Sequence, residues 1–230
     1  MIAATQLLHL LQFASPQLPI GAYSYSQGLE AALQQGLVHD APSAHAWIAR
    51  QLHEVVARWD APLCWRLMQA YTQRDAPAVA ELSERAIASR DTAEFRAETV
   101  QMGYSLARLI EELGIADEGA LAMLRQDDTA GEVPLVSAYA CAVAALGIPH
   151  EEALLALLFA WAENQVLVCV KSVPLGQVAG QKLLLALRPD IEAAALCAQS
   201  LAEHELSNWT PGLSQLSMRH EVQYSRVYRS

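Results

Sequence analysis

Apolar residues recur every three or four positions along most of the chain, the spacing that stacks side chains on one face of an α-helix. Between Asp40 and Trp59 the stripe is Trp47, Ile48, Leu52, Val55, Val56 and Trp59, opened by the start signals Asp40 and Pro42. Pro62 is expected to end or kink this helix, with a further helical stretch towards Tyr71. Later helices are predicted at about 77–89, 92–113 and 134–146. In "LGIPHEEALLALLFAWAENQVLVCVK", Gly147 suits a helix end, Pro149 a first helical position, and Glu151 and Glu152 the positive end of the next helix dipole. That helix is apolar on nearly all sides, through Leu154, Leu157, Leu158, Trp161 and Val168, and is expected to be central and buried. Another helix is predicted after Pro189, from Ile191 to about Leu206. Val166–Val170 has the β-propensity of a short strand, but no second strand pattern exists to pair with it.

Two stretches break the helical pattern: "SPQLPIGAYSYSQG" near the start and "SNWTPGLSQLS" before the last residues. No repeat, low-complexity segment or linker-like shift divides the chain. The expected architecture is all-α: a single-domain multi-helix bundle over 1–230, with an irregular N-terminal corner and a C-terminal tail.

Composition adds a partner to this picture. Of the 230 residues, 53% are apolar and 17% charged, below the roughly 25% charged usage of ordinary domains. A surface so short of charge leaves apolar area exposed, and contiguous apolar patches mark contact sites. The formal net charge of −10 argues against nucleic acid and against an anionic membrane surface. No basic segment precedes an N-terminal apolar stretch, so no secretory leader is expected. The apolar run from Ala153 to Ala162 ends at Glu163, too short to span a bilayer. A cytoplasmic protein is expected. Cys64, Cys141, Cys169 and Cys197 stand singly in apolar helical stretches and read as small core residues, not disulfides or a thiolate metal site.

A search for catalytic chemistry returns little. Four His-Glu pairs occur, at His53, His150, His204 and His220, but the second histidine of a zinc-protease helix is replaced by Ala57, Leu154, Asn208 and Tyr224. Solvated or capping histidines are expected instead. "GQVAGQK" (Gly176–Lys182) has three residues between its glycines where a phosphate loop needs four, and Leu183 follows the lysine. No nucleophile elbow or dinucleotide fingerprint is present. A binding or scaffold protein is favoured over an enzyme, with no catalytic residue, metal site or cofactor assigned. The competing class is a helical metal-dependent hydrolase using dispersed His and Glu, since catalytic groups can converge only in the fold.

Three segments are poor helix formers for their positions. In "SPQLPIGAYSYSQGLE", Pro16 and Pro19 restrict φ, Gly21 permits a bend, and Ser24 and Ser26 can bond to nearby backbone. The segment suits a helix–loop–helix corner, or a loop presenting Tyr23 and Tyr25 to a partner. In "CVKSVPLGQVAGQKLLLAL", Lys171 complements the end of the apolar helix and Pro174 and Gly176 turn the chain. Lys171 could equally anchor an acidic group on a partner. In "MRHEVQYSRVYRS", Tyr224 and Tyr228 alternate with arginines, the residue types richest in binding hot spots. If helical, this tail would place Tyr224 and Tyr228 on one face and Arg226 and Arg229 on another. A disordered end, and tyrosines packed on the protein's own core, fit the same pattern.

Together and in this order, the three segments resemble the UreF family of urease accessory proteins. The corner matches from Pro19 through Gly21, Tyr23 and Ser24 to Glu30. The Lys-x-Val-Pro-x-Gly-Gln segment matches from Lys171 to Gln177. The closing Arg-His-Glu-x-x-Tyr-Ser-Arg matches from Arg219, with His220, Glu221, Tyr224, Ser225 and Arg226, through to Ser230. Val227 and Tyr228 stand where many members have Leu and Phe. The resemblance implies a non-catalytic, dimeric, all-helical adaptor between UreD/UreH and the GTPase UreG, delivering nickel to apo-urease. It also implies that residues 207–230 form a partner-binding segment that orders on UreD/UreH, with the corner in the same interface. Coupling to GTP hydrolysis by UreG is a further implication, for which an arginine reaching the γ-phosphate would be the physical means. On this basis Pro19, Gly21, Tyr23, Ser24, Tyr25, Lys171, Gln177, His220, Glu221, Tyr224, Ser225, Arg226 and Tyr228 are the expected partner-binding residues.

Overall fold

The computed structural model describes residues 2–125, 132–173 and 175–230. Pro174, the expected turn residue after Lys171, lies outside them. Helices run as α1 (Ala4–Phe13), α2 (Leu29–Gln34), α3 (Ala41–Glu54), α4 (Asp60–Gln73), α5 (Ala76–Ala88), α6 (Ala93–Glu112), α7 (Glu118–Leu124), α8 (Leu135–Ala145), α9 (His150–Ser172), α10 (Gln177–Ala186), α11 (Arg188–Ser200) and α12 (Pro211–Glu221). Short 3₁₀ turns occupy Ala22–Ser24, Val56–Arg58 and Glu203–Glu205. No strand occurs among the described residues, so the all-α expectation holds, and Val166–Val170 is part of α9. Among the described residues side-chain oxygens cap four helices: Asp40 accepts from the backbone N–H of Ser43 at 2.9 Å, Asp75 from Ala78 at 3.1 Å, Thr92 from Phe95 at 3.2 Å and Asp117 from Ala120 at 2.8 Å.

Four boundaries differ from the pattern reading. The helix from Asp40 ends at Glu54 and passes through a 3₁₀ turn before Pro62. Pro62 lies in the first turn of α4, where a missing N–H costs no helical bond. Pro149 precedes α9 as its cap, one position earlier than expected. α11 includes Pro189 in its first turn and stops at Ser200, because Leu201 is extended. The stretch read as irregular before the tail contains α12, with Pro211 in its first turn and Ser214, Leu216, Ser217 and His220 buried.

α8 is packed between α4 and α6, and α9 runs through the centre against α1, α2, α3, α4, α10 and α11. By length and composition α9 could cross a bilayer, but its neighbours here are helices of its own chain. The α6–α8 contact is set by Gly103: a Cβ there would lie 2.0 Å from the carbonyl oxygen of Val133. Cys64, Cys141 and Cys169 are buried and Cys197 is half-buried. Burial pushes the thiols of Cys141 and Cys169 up to about 12 and that of Cys64 still higher. A thiol reagent added to the native protein is expected to label Cys197 alone within minutes, with all four reacting after denaturation. Labelling of several thiols in the native state would contradict this core.

Candidate partner-binding site

α12 packs against α2 and α6, and the chain beyond it folds back along the N-terminal corner. Thr92 and Ser217 share a hydroxyl hydrogen bond of 2.9 Å, and the Ser214 hydroxyl donates to Asp91. These bonds bring His220, which is 0% exposed, between carboxylates of two helices. Its Nδ1 lies 2.9 Å from Glu94 on α6 and its Nε2 3.0 Å from Glu30 on α2. Satisfying both carboxylates takes a proton on each ring nitrogen, because an ionised carboxylate only accepts. Arg226 adds a bond to Glu94 at 3.0 Å. Two carboxylates therefore face one imidazole and one guanidinium, and these donors are what makes burial of the set tolerable.

Glu30 does more than balance charge. Its two oxygens accept the backbone N–H groups of Val227 and Tyr228, each at 2.9 Å. Burial pushes the Glu30 carboxyl up, but the bonds from Val227, His220 and Tyr228 together outweigh it and hold the group below its ordinary value. The tail continues along the N-terminal corner, with bends at residues 227 and 228. Arg229 N–H donates to Ser24 O at 2.8 Å, and Ser26 N–H donates to Ser230 O at 2.8 Å. The Ser26 hydroxyl donates to the same oxygen. The Ser230 hydroxyl reaches Glu98 at 2.9 Å, and the Gln27 amide also donates to Glu98. Burial pushes the Glu98 carboxyl up to about 7. Trp161 holds Gln27 through an N–H bond of 2.6 Å, and Asn164 donates to Tyr25 O at 3.0 Å, so α9 supports the corner from below.

The expected site residues separate into those that build this seat and those displayed on it. Tyr25 is buried, with its hydroxyl donating to Gln101 at 2.6 Å, and burial raises its phenol above the ordinary value. Ser24 joins the corner to the tail, and its hydroxyl donates to Gly21 O at 2.7 Å. Gly21 is half-buried with φ of 79°, and Pro19 is exposed. His220 and Tyr228 are buried; Tyr228 lies beside Cys169 and Ser172, next to the exposed Lys171. Arg226 is half-exposed over Glu94. Tyr23 is 59% exposed and Tyr224 fully exposed, while Glu221 and Ser225 are also exposed. Gln177 opens α10 on the surface, and no described hydrogen bond links it to the tail.

Two expectations are corrected. The tail beyond Val222 is not helical, so Tyr224 and Tyr228 do not share a face: the first is in solvent and the second in the core. His220 is neither solvated nor a cap. The residues missed include Glu30 on α2, and Glu94, Glu98 and Gln101 on α6. One signal for two of them lay in the pattern, since Glu94, Glu98, Met102, Leu106 and Ile110 repeat every four residues along one buried stripe. Carboxylates in an apolar stripe indicate a buried polar partner. Among the described residues no group of three or more His, Cys, Asp or Glu side chains is placed to hold a metal ion.

Comparison with known proteins agrees with the three-segment resemblance. A family model described as UreF matches residues 38–188. A urease accessory protein UreF of Janthinobacterium sp. (strain Marseille) is 63% identical over 227 residues, covering 99% of both chains. A protein of the same name from Nitrosospira multiformis is 57% identical over 97% of both chains. Another, from Azoarcus sp. (strain BH72), is 50% identical over 97% of this chain and 95% of its own. The matched family model covers the helical body, the relatives extend the likeness through the corner and the tail, and the chain belongs to the UreF family of urease accessory proteins.

Proposed function

We propose that this chain is a non-catalytic cytoplasmic adaptor of urease maturation, which as a homodimer joins UreD/UreH to the GTPase UreG for nickel insertion into apo-urease. Nickel is cargo in this reading. The reading extends to modulation of GTP hydrolysis by UreG within the assembled complex. Residues 207–230 and the corner form the surface for UreD/UreH, and Lys171 and Gln177 extend the contact along α9 and α10.

The observation that carries the reading is the division of labour in the tail. A buried hydrogen-bonded seat fixes the backbone, while Tyr23, Tyr224 and Val227 project into solvent with 59%, 106% and 77% exposure. Apolar and aromatic groups held outward on a fixed support serve an anchor for a partner better than they serve the monomer. Where the resemblance implies a tail that orders on UreD/UreH, this seat gives it a place on its own chain, which lowers the ordering cost of association.

Tyr224 makes no contribution to the core, so it separates binding from folding. Tyr224→Ala is expected to weaken capture of UreD/UreH from the same source by about thirtyfold, the loss of one hot spot of about 2 kcal/mol. The melting temperature is expected to stay within about 1 °C of the parent. Calorimetric titration of the purified partners checks both; unchanged affinity would remove the tail from the interface.

A further inference from the structure

The two halves of the tail seat differ in charge. Around His220 the carboxylates of Glu30 and Glu94 face one imidazole and the guanidinium of Arg226. Glu98 has no comparable arrangement. It is 4% exposed, and its described donors are the Ser230 hydroxyl and the Gln27 amide, both neutral. Arg90 is near enough to attract it, but its guanidinium donates to Asp60. The carboxyl also faces a cavity of about 190 Å³ lined mainly by apolar side chains.

We propose that Glu98 is a proton-dependent latch for the tail, seating Ser230 firmly when its carboxyl is neutral and loosening the seat when it ionises. This rests on the reading of the tail as the partner contact and supplies its regulation, although the latch is a property of the chain alone. A neutral Glu98 can turn this bond round, donating its own O–H to the Ser230 oxygen while its other oxygen accepts from Gln27, so the seat holds no buried anion. An ionised Glu98 keeps both donors but leaves an anion in a dry site with no cation of its own, and opening the seat lets water reach it. The charged and titratable groups around it do not compensate. Asp60 comes from α4, Arg90 and Asp91 from the segment before α6, and Glu94 from α6 itself. Tyr25 comes from the corner and Arg229 from the tail, while α9 contributes the uncharged Trp161, Asn164 and Gln165.

The sign follows from linkage. Seated, Glu98 holds its proton up to about pH 7; in the open tail it behaves as an ordinary solvated carboxyl near 4.5. Between those values the seated state carries a proton that the open state lacks, so rising pH favours opening and the effect levels off above 7.

Hydrogen exchange of the Tyr228 and Arg229 amides in the full chain, corrected for the intrinsic pH dependence of exchange, reads the seat directly. Protection is expected to fall about tenfold between pH 6 and pH 8. In Glu98→Gln, whose amide copies the neutral carboxyl, protection is expected to be level over the same range. Equal protection of the parent at both pH values overturns the latch. So does an undiminished fall in Glu98→Gln, which assigns the proton to another group. Should that variant not fold, infrared difference spectra of the parent are expected to lose a protonated carboxyl over this interval, and its absence overturns the proposal equally. No partner is used, so a working latch with unaltered binding by Tyr224→Ala would dismiss the partner reading alone.

Discussion

Glu30→Ala is expected to destabilise the protein by about 3–5 kcal/mol, the cost of removing one member of a buried charge set. The truncation leaves His220 facing a single carboxylate and strips the acceptor from the backbone N–H groups of Val227 and Tyr228. None of these groups can reach water without the tail lifting. The melting temperature is expected to drop by roughly 10 °C, and trypsin is expected to cut after Arg226 much faster than in the parent. Because Glu30 lies beneath the tail, at 7% exposure, loss of partner capture in this variant would act through the seat. A melting point within 2 °C of the parent, with trypsin resistance intact, would mean that the charge set is not what holds the tail.

Gly103→Ala carries the other large effect. Its new methyl would sit 2.0 Å from Val133 O, 2.7 Å from the Pro134 carbonyl carbon and 2.8 Å from Leu135 N. All three are backbone atoms, so no rotamer change relieves the clash and α6 and α8 must separate. Overpacking usually costs 1–3 kcal/mol where side chains can yield; here about 3 kcal/mol or more is expected, with most of the expressed protein insoluble. Gly176→Ala is the control, because a Cβ there meets nothing within 4 Å. Equal melting temperatures for the two variants would show that α8 can retreat.

Most of the helices were legible because their signals are local. Asp40, Asp75 and Thr92 cap where capping residues precede apolar stripes, and α9 is central as its all-round apolarity requires. The N-terminal corner was legible as irregular, whereas α10 takes up most of the segment after Lys171 and α12 the start of the closing segment; the corner and the tail meet through Ser24 and Ser26. What stayed hidden depends on contacts far along the chain. Glu94 and Glu98 stand in a local apolar stripe, but nothing local names their partners, since His220 and Ser230 come 126 and 132 residues later. Pro211 and Gly212 looked like a break, yet proline is welcome in a first turn, and burial of Leu216, Ser217 and His220 overrides a weak propensity. The tail's departure from helix has the same origin. Glu30 offers acceptors to two successive N–H groups, which the bend at Val227 and Tyr228 turns the same way and a helix interior would spend internally.

The bond between Ser26 and Ser230 spans 204 residues. A ribosome adding about 5–20 residues per second needs about 10–40 s to cover that distance. Throughout that interval the nascent corner exists with Glu30 and Ser26 lacking the tail groups that occupy them in the finished fold. Helices α3 to α11 can form and pack meanwhile, but the platform beneath Tyr23 closes only after Ser230 has left the exit tunnel. A chain that stalls early therefore emerges with its corner unpaired, and under the proposed function a partner sampling unfinished copies would find no completed surface to hold.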